Sequence, residues 1–197
     1  QLLSMVDNTG SLTGGAANDL LVLAGTTTGK TASGAAGDDR IQDVSAAGAN
    51  TLIGGTGTDT LTGGGGGDTF VVASGDGVDF ISDYAAADTL NLDVAASLFR
   101  YATTNNQLTH VTGNYGFSFT AGTGLDDVNF SETSANGGQL LSMVDNSGNL
   151  TGGAANDLLV LAGTTTGKTA SGAAGDDRIQ DVSATGANTL IGGTGSD

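Results

Sequence analysis

The 197-residue chain contains no proline, no cysteine and no tryptophan, and aromatic residues make up only 5% of it. Without cysteine there is neither a disulfide framework nor a thiolate metal site. Bases are scarce as well: five Lys and Arg stand against 21 Asp and Glu, a formal charge of −16. That charge argues against nucleic acid and anionic membrane surfaces as partners. The sequence also lacks the long apolar run of a membrane helix, so membrane insertion is not expected. Glycine is what the chain has in quantity, 35 residues. Each costs a helix about 1 kcal/mol, which excludes an α-helical bundle. A hydrophobic share of 38% exceeds that of a disordered acidic tail and implies a thin core of Leu, Ile and Val.

Two periods organise the chain. Residues 1–59 recur as 139–197, a shift of 138, with differences only at Thr9/Ser147, Ser11/Asn149, Ala47/Thr185 and Thr58/Ser196. One full unit, 1–138, is thus followed by the start of the next, 139–197. The chain opens without an initiator Met and inside this pattern, so it reads as a window on something longer, and a missing leader says nothing about secretion. Near-identical tandem copies suit a protein whose length is its purpose, because each copy presents the same surface again and neighbours stabilise one another. They suit an enzyme poorly, since one active site needs no duplicate scaffold; no catalytic activity is expected.

Within the unit a twenty-residue period is strongest over 14–93. Asp19, Asp39, Asp59 and Asp79 form one column, and Leu21, Ile41, Leu61 and Ile81 another two positions on. A further apolar column is read as Leu12, Ala32, Leu52, Val72, Leu92. Twenty residues are too many for one strand and have the wrong composition for two helices. They fit a coil of a parallel β-solenoid: turn, short strand, turn, short strand, with glycine supplying the positive-φ turn positions. The expected fold is all-β, with the apolar residue after each Asp stacked inward on its counterpart.

Stacked strands lie about 4.8 Å apart. Carboxylates at that spacing repel by about 0.9 kcal/mol in water and about 3.5 kcal/mol at an effective dielectric of 20. With so few bases, a cation between the coils is required. Carboxylate and backbone carbonyl oxygens are hard ligands that suit several Ca²⁺ ions better than Mg²⁺, which demands tighter octahedral geometry.

The stretch Gly54 to Phe70, GGTGTDTLTGGGGGDTF, holds two consecutive matches to the nonapeptide G-G-x-G-x-D-x-U-x. In this it resembles the repeats-in-toxin (RTX) proteins, whose β-roll binds Ca²⁺ between adjacent turns. The resemblance implies that Asp19, Asp39, Asp59 and Asp79 are side-chain ligands on one edge, with Asp157, Asp177 and Asp197 as their counterparts in the next unit. Asp68 and Asp88 would form a shorter column on the opposite edge. Gly14, Gly34, Gly54 and Gly57, and Gly63 and Gly66 in the second motif, would offer turn carbonyls or the room for them. The pattern departs from the family in its twenty-residue coils, against eighteen, and in Ala17, which stands where a glycine is usual. Asp43 falls outside the ligand column.

Residues 94–138 carry the pattern weakly. Asp126 and Val128 fit its columns, and Asn106 and Leu108 fit at the same spacing. A continuing solenoid is the preferred reading, with a short helix in 94–102 or a separate small β-module as alternatives. Ala24 to Thr31, AGTTTGKT, formally matches a phosphate-binding loop, but TASGAAGDD cannot supply the helix that such a loop needs. His110, the single histidine, has no strong acid beside it in sequence, and a strand histidine is expected rather than a triad member. The threonine runs 26–28 and 164–166 are read as turns rather than an ice- or glycan-binding array.

Together these features lead to a non-catalytic, Ca²⁺-dependent structural repeat of a long extracellular bacterial protein. An adhesin shaft or a matrix or surface filament is expected, with a surface-layer unit or the secretion and folding appendage of an enzyme as alternatives. The RTX resemblance implies type I secretion and folding outside the cell. Expected partners are neighbouring repeats and other copies, end to end or side by side, with any surface or glycan target elsewhere in the full-length protein.

Overall fold

A computed structural model describes residues 2–6, 10–25, 28–85, 87–92, 98–102, 107–113, 115–119, 129–132, 140–144, 149–162, 165–184 and 186–197. The chain is all-β. Among the described residues no helix is long and apolar enough to cross a membrane. In the first unit, strands β1 (Leu2–Val6), β3 (Leu20–Ala24), β5 (Arg40–Asp43), β7 (Thr60–Thr62) and β9 (Val78–Ile81) stack in parallel as one sheet. Strands β2 (Leu12–Thr13), β4 (Thr31–Ala36), β6 (Thr51–Thr56), β8 (Thr69–Val72) and β10 (Thr89–Leu92) stack as the other. The chain alternates between the sheets at every turn, which is the path of a parallel β-solenoid. Its coils are mostly twenty residues long.

Strand alternation explains the core. In β3, Leu21 and Leu23 are buried while Leu20, Val22 and Ala24 are partly exposed, because successive side chains leave a strand on opposite faces. Leu21, Ile41, Leu61 and Ile81 pair in register and are all fully buried, as the period requires. The facing column differs from the sequence reading. Leu12, Ala32 and Leu52 pair as expected, but Leu52 then meets Phe70 and Leu90 rather than Val72 and Leu92. One step, Leu52 to Phe70, is eighteen residues long, so Val72 and Leu92 belong to a neighbouring column.

Within 94–138 the described strands follow the coil path at two places. β13 (Gly116–Phe119) pairs in parallel with β9, and β14 (Asn129–Glu132) with β10, so the coil path resumes. Before it does, β11 (Phe99–Ala102) and β12 (Gln107–His110) form an antiparallel meander with β13 at the end of the first sheet. Leu108 therefore sits on an antiparallel strand, not at a coil position. Asn106, Asp126 and Val128 lie outside the described residues, as does 94–97 of the proposed helix.

The second unit repeats the design as β15 (Leu140–Val144), β17 (Leu158–Ala162) and β19 (Arg178–Asp181) facing β16 (Leu150–Thr151), β18 (Thr169–Ala174) and β20 (Thr189–Thr194).

Candidate metal centre

The four expected aspartates of the first row lie at one corner of the solenoid, where the even sheet hands over to the odd one. Gly57 illustrates the turn: its φ is +139°, and a Cβ there would strike the Gly37 carbonyl of the coil above. Only glycine allows coils to stack so closely. Asp59 and Asp79 are fully buried, and Asp39 and Asp19 nearly so.

Each carboxylate divides its work between its two oxygens. One oxygen accepts a backbone hydrogen bond from the aspartate one coil earlier. Asp19 N–H donates to Asp39 Oδ1 at 2.7 Å, Asp39 N–H to Asp59 Oδ1 at 2.6 Å, and Asp59 N–H to Asp79 Oδ1 at 3.0 Å. Asp157, Asp177 and Asp197 continue the pattern in the next unit, at 2.9 and 3.0 Å. The second oxygen, Oδ2, has no hydrogen-bond partner in Asp39, Asp59, Asp79 and Asp177. A buried carboxylate oxygen left unpaired is costly.

Those orphaned oxygens point at glycines. A Cβ on Gly34 would collide with Asp39 Oδ2 and lie 2.6 Å from the Gly54 carbonyl oxygen. A Cβ on Gly54 would collide with Asp59 Oδ2 and lie 2.6 Å from Asp79 Oδ2. Gly172 stands in the same relation to Asp177 Oδ2 and the Gly192 carbonyl, and Gly192 to Asp197 Oδ2. Carboxylate and carbonyl oxygens from successive coils thus converge where the missing Cβ leaves room. At the top of each row the geometry changes. Asp19 Oδ2 accepts from Gly15 N–H, and Asp157 Oδ2 from Gly153 N–H, both at 2.6 Å, although Gly14 and Gly152 lie beside them.

The opposite corner carries a second row. Asp68 N–H donates to Asp88 Oδ1 at 2.9 Å, and Asp68 Oδ2 is buried without a partner beside Gly63. Asp88 Oδ2 accepts from Ala85 N–H. Gly66, with φ +127°, makes the turn against the Gly48 carbonyl and does not face the carboxylates. This row extends further than the sequence suggested. Asn50 N–H donates to Asp68 Oδ1, and Lys30 N–H to Asn50 Oδ1, so Asn50 fills the aspartate's place. Asn188 does the same for Lys168. Asp83 was also missed; its carboxylate accepts from Gly63 and Gly64 N–H. Asp43, read as lying outside the column, is buried and bonded to Ser45 N–H and the Asn50 amide, so it is no neutral bystander.

Burial raises the carboxyl pKa values of Asp39, Asp59, Asp68, Asp79, Asp88 and Asp177. Asp68 is pushed up to about 7, by burial first and then by the charges of Asp43 and Asp88. Asp59 is raised by burial and then by the charges of Asp39 and Asp38, Asp79 by burial and then by the charges of Asp59 and Asp76, and Asp39, Asp88 and Asp177 chiefly by burial. Without a counter-charge these rows would resist ionisation.

No group of three or more His, Cys, Asp or Glu side chains suited to a metal occurs among the described residues. The donor set is instead one or two carboxylate oxygens with turn carbonyls, a hard, all-oxygen set of the kind Ca²⁺ takes. The residues present therefore fit such a cation, which when bound supplies the positive charge that the paired oxygens lack. The structure also places two other motifs. Thr31 opens strand β4, so no helix follows Lys30. His110 stacks on Tyr115 at 4.8 Å, and its Nδ1 accepts from Gly113 N–H. Thr26, Thr27 and Thr164 lie outside the described residues.

Compared with known protein families, the chain matches the RTX calcium-binding nonapeptide repeat in four copies, over residues 45–79 and 183–197. No curated protein and no solved structure matches it.

Proposed function

Since this chain carries RTX calcium-binding nonapeptide repeats, we propose that it is a non-catalytic structural segment of a long extracellular bacterial protein, the shaft of an adhesin or a matrix filament, folding on Ca²⁺ after secretion. The observation that carries the Ca²⁺-coupled part is the run of buried, unpartnered Oδ2 atoms on Asp39, Asp59 and Asp79. An acidic stack with such atoms is unstable alone and stable once neutralised, so binding free energy becomes folding free energy. The extended, structural part is supported by the near-identity of 1–59 and 139–197, which repeats the same run of coils.

Titration by far-UV circular dichroism tests the coupling. The chain is expected to be disordered in chelator and to gain strand signal cooperatively at millimolar Ca²⁺. A spectrum indifferent to Ca²⁺ would refute it.

A further inference from the structure

The strand LLVLA occurs twice, as β3 and β17, with identical sequence but different burial. In β3 the outward residues Leu20, Val22 and Ala24 are partly exposed. In β17 their counterparts Leu158, Val160 and Ala162 are 1%, 0% and 0% exposed. The difference has a visible cause. β11 lies against β17, and these three residues join the apolar cluster of Phe99, Leu108 and Phe117 on the meander. They are separate from the second unit's own core, which holds Leu159, Leu161 and Ala170. One meander therefore covers one of two chemically identical faces.

We propose that the Leu20–Val22–Ala24 face of β3 is a docking surface for the β11–β13 meander of another copy of the unit. The occupant is argued from the molecule itself, because the same three side chains in the same strand are already closed over by that meander. The contact is apolar and lies on the outer face of the sheet. It is also heterologous, joining one surface to a different one, so it propagates from unit to unit instead of closing on itself. Each unit would cover the β3-type strand of the next, packing successive rolls through sheet faces as well as joining them through the chain.

The test uses the whole chain in saturating Ca²⁺. Val160→Asp places a charge in the covered face and releases the meander, which is then available to the β3 face of a second molecule. Sedimentation velocity over a concentration series should show wild type as a monomer and Val160→Asp as oligomers that grow with concentration. The double variant Val22→Asp/Val160→Asp should return to monomer. Circular dichroism verifies that both keep their strand signal; should the aspartates unfold the second unit, Val160→Ser and Val22→Ser/Val160→Ser replace them. A released variant that stays monomeric at every concentration overturns the proposal. So does a double variant that associates as readily as the single, since the meander would then be sticking to some other surface.

Discussion

Converting Asp79 to Asn separates two consequences of its buried carboxyl. The amide oxygen still accepts from Asp59 N–H, while the group beside Gly54 loses its charge. Asp79→Asn should therefore make the metal-free fold less unfavourable and at the same time raise the Ca²⁺ midpoint, by about tenfold for each 1.4 kcal/mol of lost binding. Asp38→Asn is the proper comparator, because Asp38 is exposed and uses its Oδ1 only to accept from Thr58 N–H; its midpoint should hardly move. Parallel titrations of the two variants check both signs. Glycines give a second pair. Gly29 has φ +64° with open space around it, so Gly29→Ala should cost about 1 kcal/mol whether or not Ca²⁺ is present. Gly34→Ala drives a methyl group against Asp39 Oδ2 and should also shift the Ca²⁺ midpoint upward. Ala35 presents the reverse case. It holds φ +78° where the next coil has Gly55 at +96°, so Ala35→Gly should stabilise by up to about 1 kcal/mol in thermal melts.

At the scale of the coil, protons and cations compete for the same oxygens. A carboxyl whose pKa is raised by folding favours the fold while protonated. That contribution is complete below the ordinary value of 3.8 and, for Asp68, lost as pH rises through about 7. In chelator, lowering the pH from about 8 to about 4 should thus increase strand signal, and the Ca²⁺ midpoint should rise as pH falls over the same window. Circular dichroism at fixed chelator, stepped in pH, checks this. The coil was also the unit most readable in the sequence, because its period sets strand, turn and buried face at once. Asp39, Asp59 and Leu61 could be placed by counting alone. Counting failed at Asn50 and Phe70, where an eighteen-residue step interrupts the twenties; the glycine run 63–67 fits either spacing equally well. It failed again at Phe99–His110, since side-chain alternation fixes which face of a strand is apolar but not whether its neighbour runs parallel or antiparallel.

For the molecule as a whole, folding should be a large contraction. A chain of 197 residues has a radius of gyration near 48 Å unfolded and about 16 Å if compact. Small-angle scattering should show most of that fall on adding Ca²⁺ at constant ionic strength, with the folded value somewhat above the compact one because a solenoid is elongated. An equivalent contraction with Mg²⁺ alone would assign the rows to a less selective site.

The aspartate ladder is also directional. Every amide in it is received by the acid that follows, so the stack has a donor end and an acceptor end. Stripping coils from the donor end leaves a carboxylate oxygen that water readily satisfies. Stripping them from the acceptor end uncovers an amide hydrogen, which exchanges a charged carboxylate acceptor for water. A filament assembled on this plan should fray from one tip before the other.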